Sequence, residues 1–174
     1  MVTTKLVGQE PEHEPDVPYV PTTEEAVEAM LKLAEVSKSD VVYDLGCGDG
    51  RIVIAAAKTY GAKGVGYDID PERIKEAKAN AKAAGVDDKV RFEVKDLFKA
   101  DFHEATVVTL FLLNSVNMRL RPRLMEQLKP GTRIVSNTFD MGDWVAEKDI
   151  TIPAPTDAFL SRRFFLWRVP ERKK

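Results

Sequence analysis

The sequence predicts a single α/β domain built on a mostly parallel sheet with helices on both faces, and three observations carry that expectation. Short β-rich runs alternate with helix-forming stretches from Asp40 to Thr138. The run Thr106 to Leu112 is largely apolar, as strands covered on both faces are. Pro71, Gly85 and the pair Pro130-Gly131 stand where helices start and stop. A length of 174 residues fits one domain, and 44% hydrophobic residues suffice for its core.

Taken in order, residues 1–16 contain Glu10, Glu12, Glu14, Asp16, Pro11 and Pro15 with few large apolar side chains. They are expected to form a flexible acidic arm ahead of a domain covering 17–174. From Glu24 to Glu35, Val27, Met30, Leu31 and Ala34 recur at helical spacing, and Thr22 with Glu25 reads as a capping box. Asp40 to Leu45 is a strand and Arg51 to Tyr60 a helix. Gly64 to Ile69 is the next strand, followed by a helix from Pro71 to Ala84 that Gly85 ends. Val90 to Val94 and Thr106 to Leu112 add two strands. Pro122 to Leu128 reads as a short helix terminated by Pro130-Gly131, and Arg133 to Thr138 as a fifth strand. Asp149 to Ile152 and Phe164 to Val169 form an antiparallel hairpin at one edge.

Composition removes several functional classes. A net charge of −2 and a pI near 5.8 argue against specific nucleic acid binding or attraction to an anionic membrane. Cys47 is the single cysteine, so no internal disulfide forms, and no Cys/His spacing marks a metal site. No stretch reaches the roughly 20 apolar residues of a membrane span. The acidic amino terminus does not read as a secretory signal or transit peptide, so a cytoplasmic location is expected. His13 and His103 lack any partner pattern for base or metal chemistry. Arg119, Arg121 and Arg123 read as a solvated helix face, and Trp144 and Trp167 as core or rim.

In an open parallel sheet ligands settle beyond the carboxyl ends of the strands, which directs attention to the first strand-to-helix turn. It reads Asp44-Leu45-Gly46-Cys47-Gly48-Asp49-Gly50. Glycine at alternate positions lets a ligand lie against the backbone. The dinucleotide fingerprint sets its third glycine three residues after the second, whereas here the step is two, with Asp44 and Asp49 beside the turn. Those carboxylates repel a pyrophosphate but attract the ammonium of a methionine moiety, favouring a sulfonium nucleoside.

The turn resembles the first motif of class I S-adenosylmethionine-dependent methyltransferases, and the similarity runs from about Val17 through Val169. That resemblance implies a Rossmann-like, seven-stranded sheet ordered 3-2-1-4-5-7-6 with strand seven antiparallel. It implies S-adenosyl-L-methionine as cofactor and S-adenosyl-L-homocysteine as product. By position, Asp44, Gly46, Cys47, Gly48 and Gly50 would surround the methionine part. Asp68, 18 residues beyond Gly50, would accept from the ribose hydroxyls with Ile69 beside it. Asp96 would accept from the adenine amino group while the Leu97 amide faces the ring, and Phe111 completes the set. Asp70 reads instead as a helix cap.

A narrower resemblance lies in Pro18-Tyr19-Val20-Pro21-Thr22. With the short chain, it is similar to lysine methyltransferases that include short archaeal enzymes and the mitochondrial enzyme that modifies the membrane-ring protein of ATP synthase. It implies that 17–35 serves as lid and helix, with Tyr19 and Thr22 near the methionine end. Tyr19 and Asn114 are the candidate catalytic residues: Tyr19 to orient the amine, and Asn114 because it follows the fourth strand, although Ser115-Val116-Asn117 lacks the aromatic of the N-P-P-Y pattern. Asn137 reads as flanking the same opening. The acceptor is expected to be a protein lysine. A small-molecule acceptor served by the same cofactor site, and a catalytically silent binding protein, are the alternatives. The sequence sets no oligomeric state.

Overall fold

A computed structural model describes residues 21–153 and 162–173. The acidic arm 1–16 and Tyr19 lie outside the described residues. The chain forms α1 (Glu24–Leu33), β1 (Val41–Leu45), α2 (Arg51–Tyr60), β2 (Lys63–Asp68), α3 (Pro71–Ala83), β3 (Val90–Val94), β4 (Val107–Leu110), α4 (Asn114–Gln127), β5 (Arg133–Asn137), β6 (Lys148–Thr151) and β7 (Arg163–Arg168). The strands make one seven-stranded sheet ordered β3-β2-β1-β4-β5-β7-β6. Pairings from β3 to β5 are parallel, while β7 runs antiparallel to both β5 and β6.

The period of two along each strand divides the core. Val42, Val107, Val135, Phe164 and Leu166 meet Met30 and Leu31 of α1, Val53 of α2 and Ile74 of α3 on one face. Tyr43, Leu45, Val108, Leu110, Ile134 and Trp167 meet Val116, Leu120 and Leu124 of α4 on the other. β1 pairs with β2 on one side and β4 on the other, so the loops leaving β1 and β4 diverge and open a crevice between them. No helix among the described residues is long and apolar enough to cross a membrane.

Beyond shifts of one or two residues at element ends, two assignments differ from the sequence expectation. The fourth helix begins at Asn114 rather than Pro122, which sits inside it. Proline removes the N–H that would bond to Met118, yet both residues lie on the exposed side, where that carbonyl can meet water. The cap of α1 is Thr23, whose hydroxyl accepts from the Ala26 amide at 3.3 Å, and not Thr22. Asp70 caps α3 as expected, accepting from the Glu72 amide at 2.9 Å, with Pro71 at the first helical position.

The three arginines of α4 do not form a free solvated face. Arg119 lies 3.8 Å from the Phe98 ring centroid, Arg121 donates to the Met141 carbonyl at 3.1 Å, and Arg123 donates to the Ala100 carbonyl at 2.6 Å. Trp167 is buried and donates to the Trp144 carbonyl at 2.8 Å, with the two rings 6.0 Å apart. His103 is exposed and pairs with Asp101.

Candidate active site

The turn after β1 is pinned to β2. The amides of Gly46 and Cys47 both donate to the Tyr67 carbonyl at 2.8 Å, and the Gly48 amide donates to Asp68 at 2.9 Å. The other Asp68 oxygen accepts from the Asp70 amide at 3.0 Å. A carboxylate tethered by two backbone donors holds its place at the mouth of the crevice while keeping spare lone pairs for a ligand. Gly46 has φ +85°, and a Cβ there would lie 3.1 Å from Leu112, so glycine keeps the wall low where the chain turns.

The loop also binds the segment upstream of α1. Asp49 pairs with Arg51 at 2.6 Å, and Arg51 donates to the Thr22 carbonyl at 2.8 Å. Thr22 is thereby brought beside the turn and is buried, while Thr23, the residue directly before α1, takes the cap.

These elements enclose a cleft of about 1040 Å³, counted out to its open mouth. Thr22, Asp44, Gly46, Cys47, Gly48, Asp68, Ile69, Asp96, Leu97 and Phe111 all line it. Gly50 does not. It occupies the cap of α2 at φ +82°, where a Cβ would fall 2.6 Å from the Phe92 ring, so its small size serves packing between α2, α3 and β3. Asn114 is likewise absent from the lining. Its amide instead donates to the Asp140 carboxylate beyond β5. Asn137 is buried and accepts from the Thr138 hydroxyl at 3.0 Å. Arg51, Arg73, Phe98, Leu112 and Val116 also line the cleft. The sequence offered a signal for Leu112, as the end of an apolar run, and for Val116, in the segment after Leu113 that reads as part of an acceptor pocket with the lid and the Phe139 to Trp144 loop.

The charge of the cleft is uneven. Asp49 pairs with Arg51, and Asp70 lies 3.9 Å from Arg73. Asp44, Asp68 and Asp96, at the ends of β1, β2 and just past β3, have no cation in salt-bridge reach among the described residues. Asp44 is buried beneath the turn, and burial pushes its carboxyl up to about 7. The bond from Thr109 opposes that rise, and the charges of Asp68 and Asp49 add to it. Burial likewise raises the Cys47 thiol well above its ordinary value, leaving it a packed, unreactive group. Asp96 accepts from the Phe98 amide at 2.9 Å, which turns the chain so that Leu97 and Phe98 flank the cleft. A cleft with a negative floor, apolar walls and tethered carboxylates suits a flat nucleoside with a positively charged tail.

Comparison with known proteins agrees with that chemistry. The ANTKMT methyltransferase domain matches residues 44–148. A protein-lysine N-methyltransferase of Saccharolobus islandicus is 46% identical over 160 residues, covering 91% of this chain and 98% of that protein. The adenine nucleotide translocase lysine N-methyltransferase of Mus musculus is 36% identical over 128 residues, covering 74% of this chain but only 56% of its own length. A crystal structure of an RNA methyltransferase from Salinibacter ruber, in complex with S-adenosyl-L-homocysteine, has a TM-score of 0.82 and 53% identity over 89% of this chain and 97% of that one.

Proposed function

This chain belongs to the ANTKMT methyltransferase domain family, and on that premise we propose that it moves a methyl group from S-adenosyl-L-methionine to lysine side chains of proteins. The observation that carries the reading is the set of three carboxylates, Asp44, Asp68 and Asp96, spaced along one cleft without cationic partners among the described residues. Such a floor fits a ligand that brings its own positive charge and two hydroxyls. The lysine acceptor is taken from the relatives in Saccharolobus islandicus and Mus musculus.

In this reading Asp68 accepts from the ribose hydroxyls, Asp96 and the Leu97 amide meet the adenine edge, and Ile69 and Phe98 flank its faces. Asp44 and the Gly46 to Gly48 backbone receive the amino-acid end, and Thr22 closes that end from above. Tyr19 stands close by in sequence, outside the described residues, as the group that orients the acceptor. When bound, S-adenosyl-L-methionine supplies a methyl group already activated by positive sulfur. The protein therefore has to align the amine, exclude water and leave its lone pair free. Phe111, Leu112 and Val116 give the acceptor side an apolar wall, which lowers the pKa of an arriving ammonium and favours the neutral nucleophile.

The Salinibacter ruber structure supports a second reading, in which the acceptor is RNA. Deuterated S-adenosyl-L-methionine, offered with a protein extract and with total RNA, separates the two by mass spectrometry. Label on lysine nitrogens, reduced with Asp68→Ala when the cofactor is limiting, is the expected result. Label confined to nucleotides would overturn the lysine reading, and label in neither would overturn both.

A further inference from the structure

The segment after β5 is held unusually firmly for a loop. Thr138 takes φ +70°, a costly conformation for a β-branched residue, and its amide donates to the Arg163 carbonyl at 2.7 Å. The Phe139 carbonyl accepts from Ser136 at 2.6 Å and from the buried Asn117 amide at 3.2 Å, and the same Asn117 group reaches the Asp140 carbonyl at 3.1 Å. These contacts from β5, β7 and α4 present two side chains. The ring of Phe139 stacks on Phe111, centroids 6.2 Å apart, and Phe111 lines the cofactor cleft. The aromatic wall thus continues outward from the cleft by one ring.

Beside that wall the charges are arranged selectively. Four carboxylates lie on the stretch from Asp140 to Asp149. Asp143 pairs with Arg121, Glu147 with Arg168 at 3.1 Å, and Asp149 with Arg163. Asp140 has no cation in salt-bridge reach among the described residues; Arg163 feels its charge only at longer range and is already bound to Asp149. One of its oxygens accepts from the neutral Asn114 amide and from the Gly142 amide at 3.1 Å, and the other has no hydrogen-bond partner among the described residues.

Resting on the lysine reading, we infer that Asp140 and the stacked rings of Phe139 and Phe111 form the entry for the acceptor, with Asp140 selecting an alkylammonium side chain. The carboxylate receives the cationic head, and the two rings take the methylene chain and strip its water on the way to the cleft. Asn114 is then a positioning residue, because it fixes the Asp140 carboxylate without neutralising it. A polyanionic acceptor such as RNA meets the wrong sign of charge here.

The test uses the protein loaded with S-adenosyl-L-homocysteine and two blocked pentapeptides, Gly-Gly-Lys-Gly-Gly and its norleucine counterpart, with binding followed by NMR shifts. Asp140→Asn keeps an oxygen to accept from Asn114 and Gly142, so the loop stays tied while the charge is lost. The expected result is a preference for lysine of about fivefold in the parent protein, the value of one well-exposed ion pair, abolished in Asp140→Asn. Affinity for S-adenosyl-L-homocysteine and the melting temperature should not move. A lysine preference that survives in Asp140→Asn, or one absent from the parent protein, would overturn the inference. Label incorporation distinguishes this from failure of the function reading. If lysines are methylated with the same KM by both proteins, only the entry site is wrong. If no lysine is methylated but the peptide preference depends on Asp140, the entry site stands and the lysine reading falls.

Discussion

The Thr109 hydroxyl donates a 2.9 Å hydrogen bond to the Asp44 carboxylate across the paired strands β1 and β4, where both side chains are buried. That single bond is the main local compensation for placing a carboxyl group under the cofactor turn. It does not offset burial, and the group remains protonated up to about pH 7.

A stability signature follows from this. Between the ordinary value of 3.8 and about 7, the folded protein holds a proton on Asp44 that the unfolded chain has released. The folded state therefore binds more protons in that window, and stability falls as pH rises through it. Below the window both states are protonated and the cost is absent. Asp44→Asn keeps an oxygen for Thr109 but cannot ionise. Its stability relative to the parent protein, read from urea unfolding without ligand, should grow from pH 4 to pH 7 and level off above, on the order of 4 kcal/mol. A difference that is flat with pH would refute the buried-carboxyl assignment. Affinity of the parent protein for S-adenosyl-L-homocysteine, whose amino group favours the ionised carboxylate, should rise from pH 6 to pH 8, and Asp44→Asn should lose that rise.

Asp68 acts at once on the loop and on the ligand. It accepts from Gly48 and Asp70, and its remaining lone pairs face the cleft. Asp68→Ala should weaken binding of S-adenosyl-L-homocysteine by about 1.5–3 kcal/mol, the value of hydrogen bonds to a charged group. Unchanged affinity in calorimetry would remove the ribose role from Asp68.

Gly50 should matter for stability and not directly for the ligand. Alanine there would adopt a left-handed conformation and press on the Phe92 ring and on Ala77. Backbone strain and overpacking together should cost about 2–4 kcal/mol, a fall in melting temperature of roughly 5–15 °C for a chain of this size. A Gly50→Ala protein that melts normally but fails to bind cofactor would return Gly50 to the ligand site.

Asp40 offers a control remote from the cleft. It accepts from the Ser37 amide and the Thr106 hydroxyl, both at 2.8 Å, and pairs with Arg133, whose side chain is only 16% exposed. Asp40→Ala leaves those donors without their acceptor and should destabilise the fold by about 3 kcal/mol. At a temperature where the variant is still folded, its cofactor affinity should match that of the parent protein. A loss of affinity would show that the base of β1 and the turn at its other end are coupled.

The parts of the molecule legible in sequence are those written in local periodicity. The alternation of short β-rich runs with helical stretches, the proline and glycine around α3, and the apolar run of β4 report where each element begins and which are buried on both faces, and the sheet follows from their order. The turn after β1 is legible because its glycines and aspartates lie within a few positions. What escapes depends on partners distant in the chain. Pro122 resembles a helix start because nothing local shows that its exposed side tolerates a lost hydrogen bond. Gly50 resembles a ligand contact because its tight neighbour, Phe92, comes from another strand. The pairing of Asp143, Glu147 and Asp149 with arginines, which leaves Asp140 apart, joins residues 14 or more positions from one another.

The most direct test of the central claim is a crystal structure of the protein with S-adenosyl-L-homocysteine. The ribose hydroxyls should rest on Asp68, the adenine edge on Asp96 and Leu97, and the amino-acid end above Asp44 and the turn that follows it. A ligand bound anywhere other than the cleft between the ends of β1 and β4, or in the cleft with its ribose away from Asp68, would contradict it.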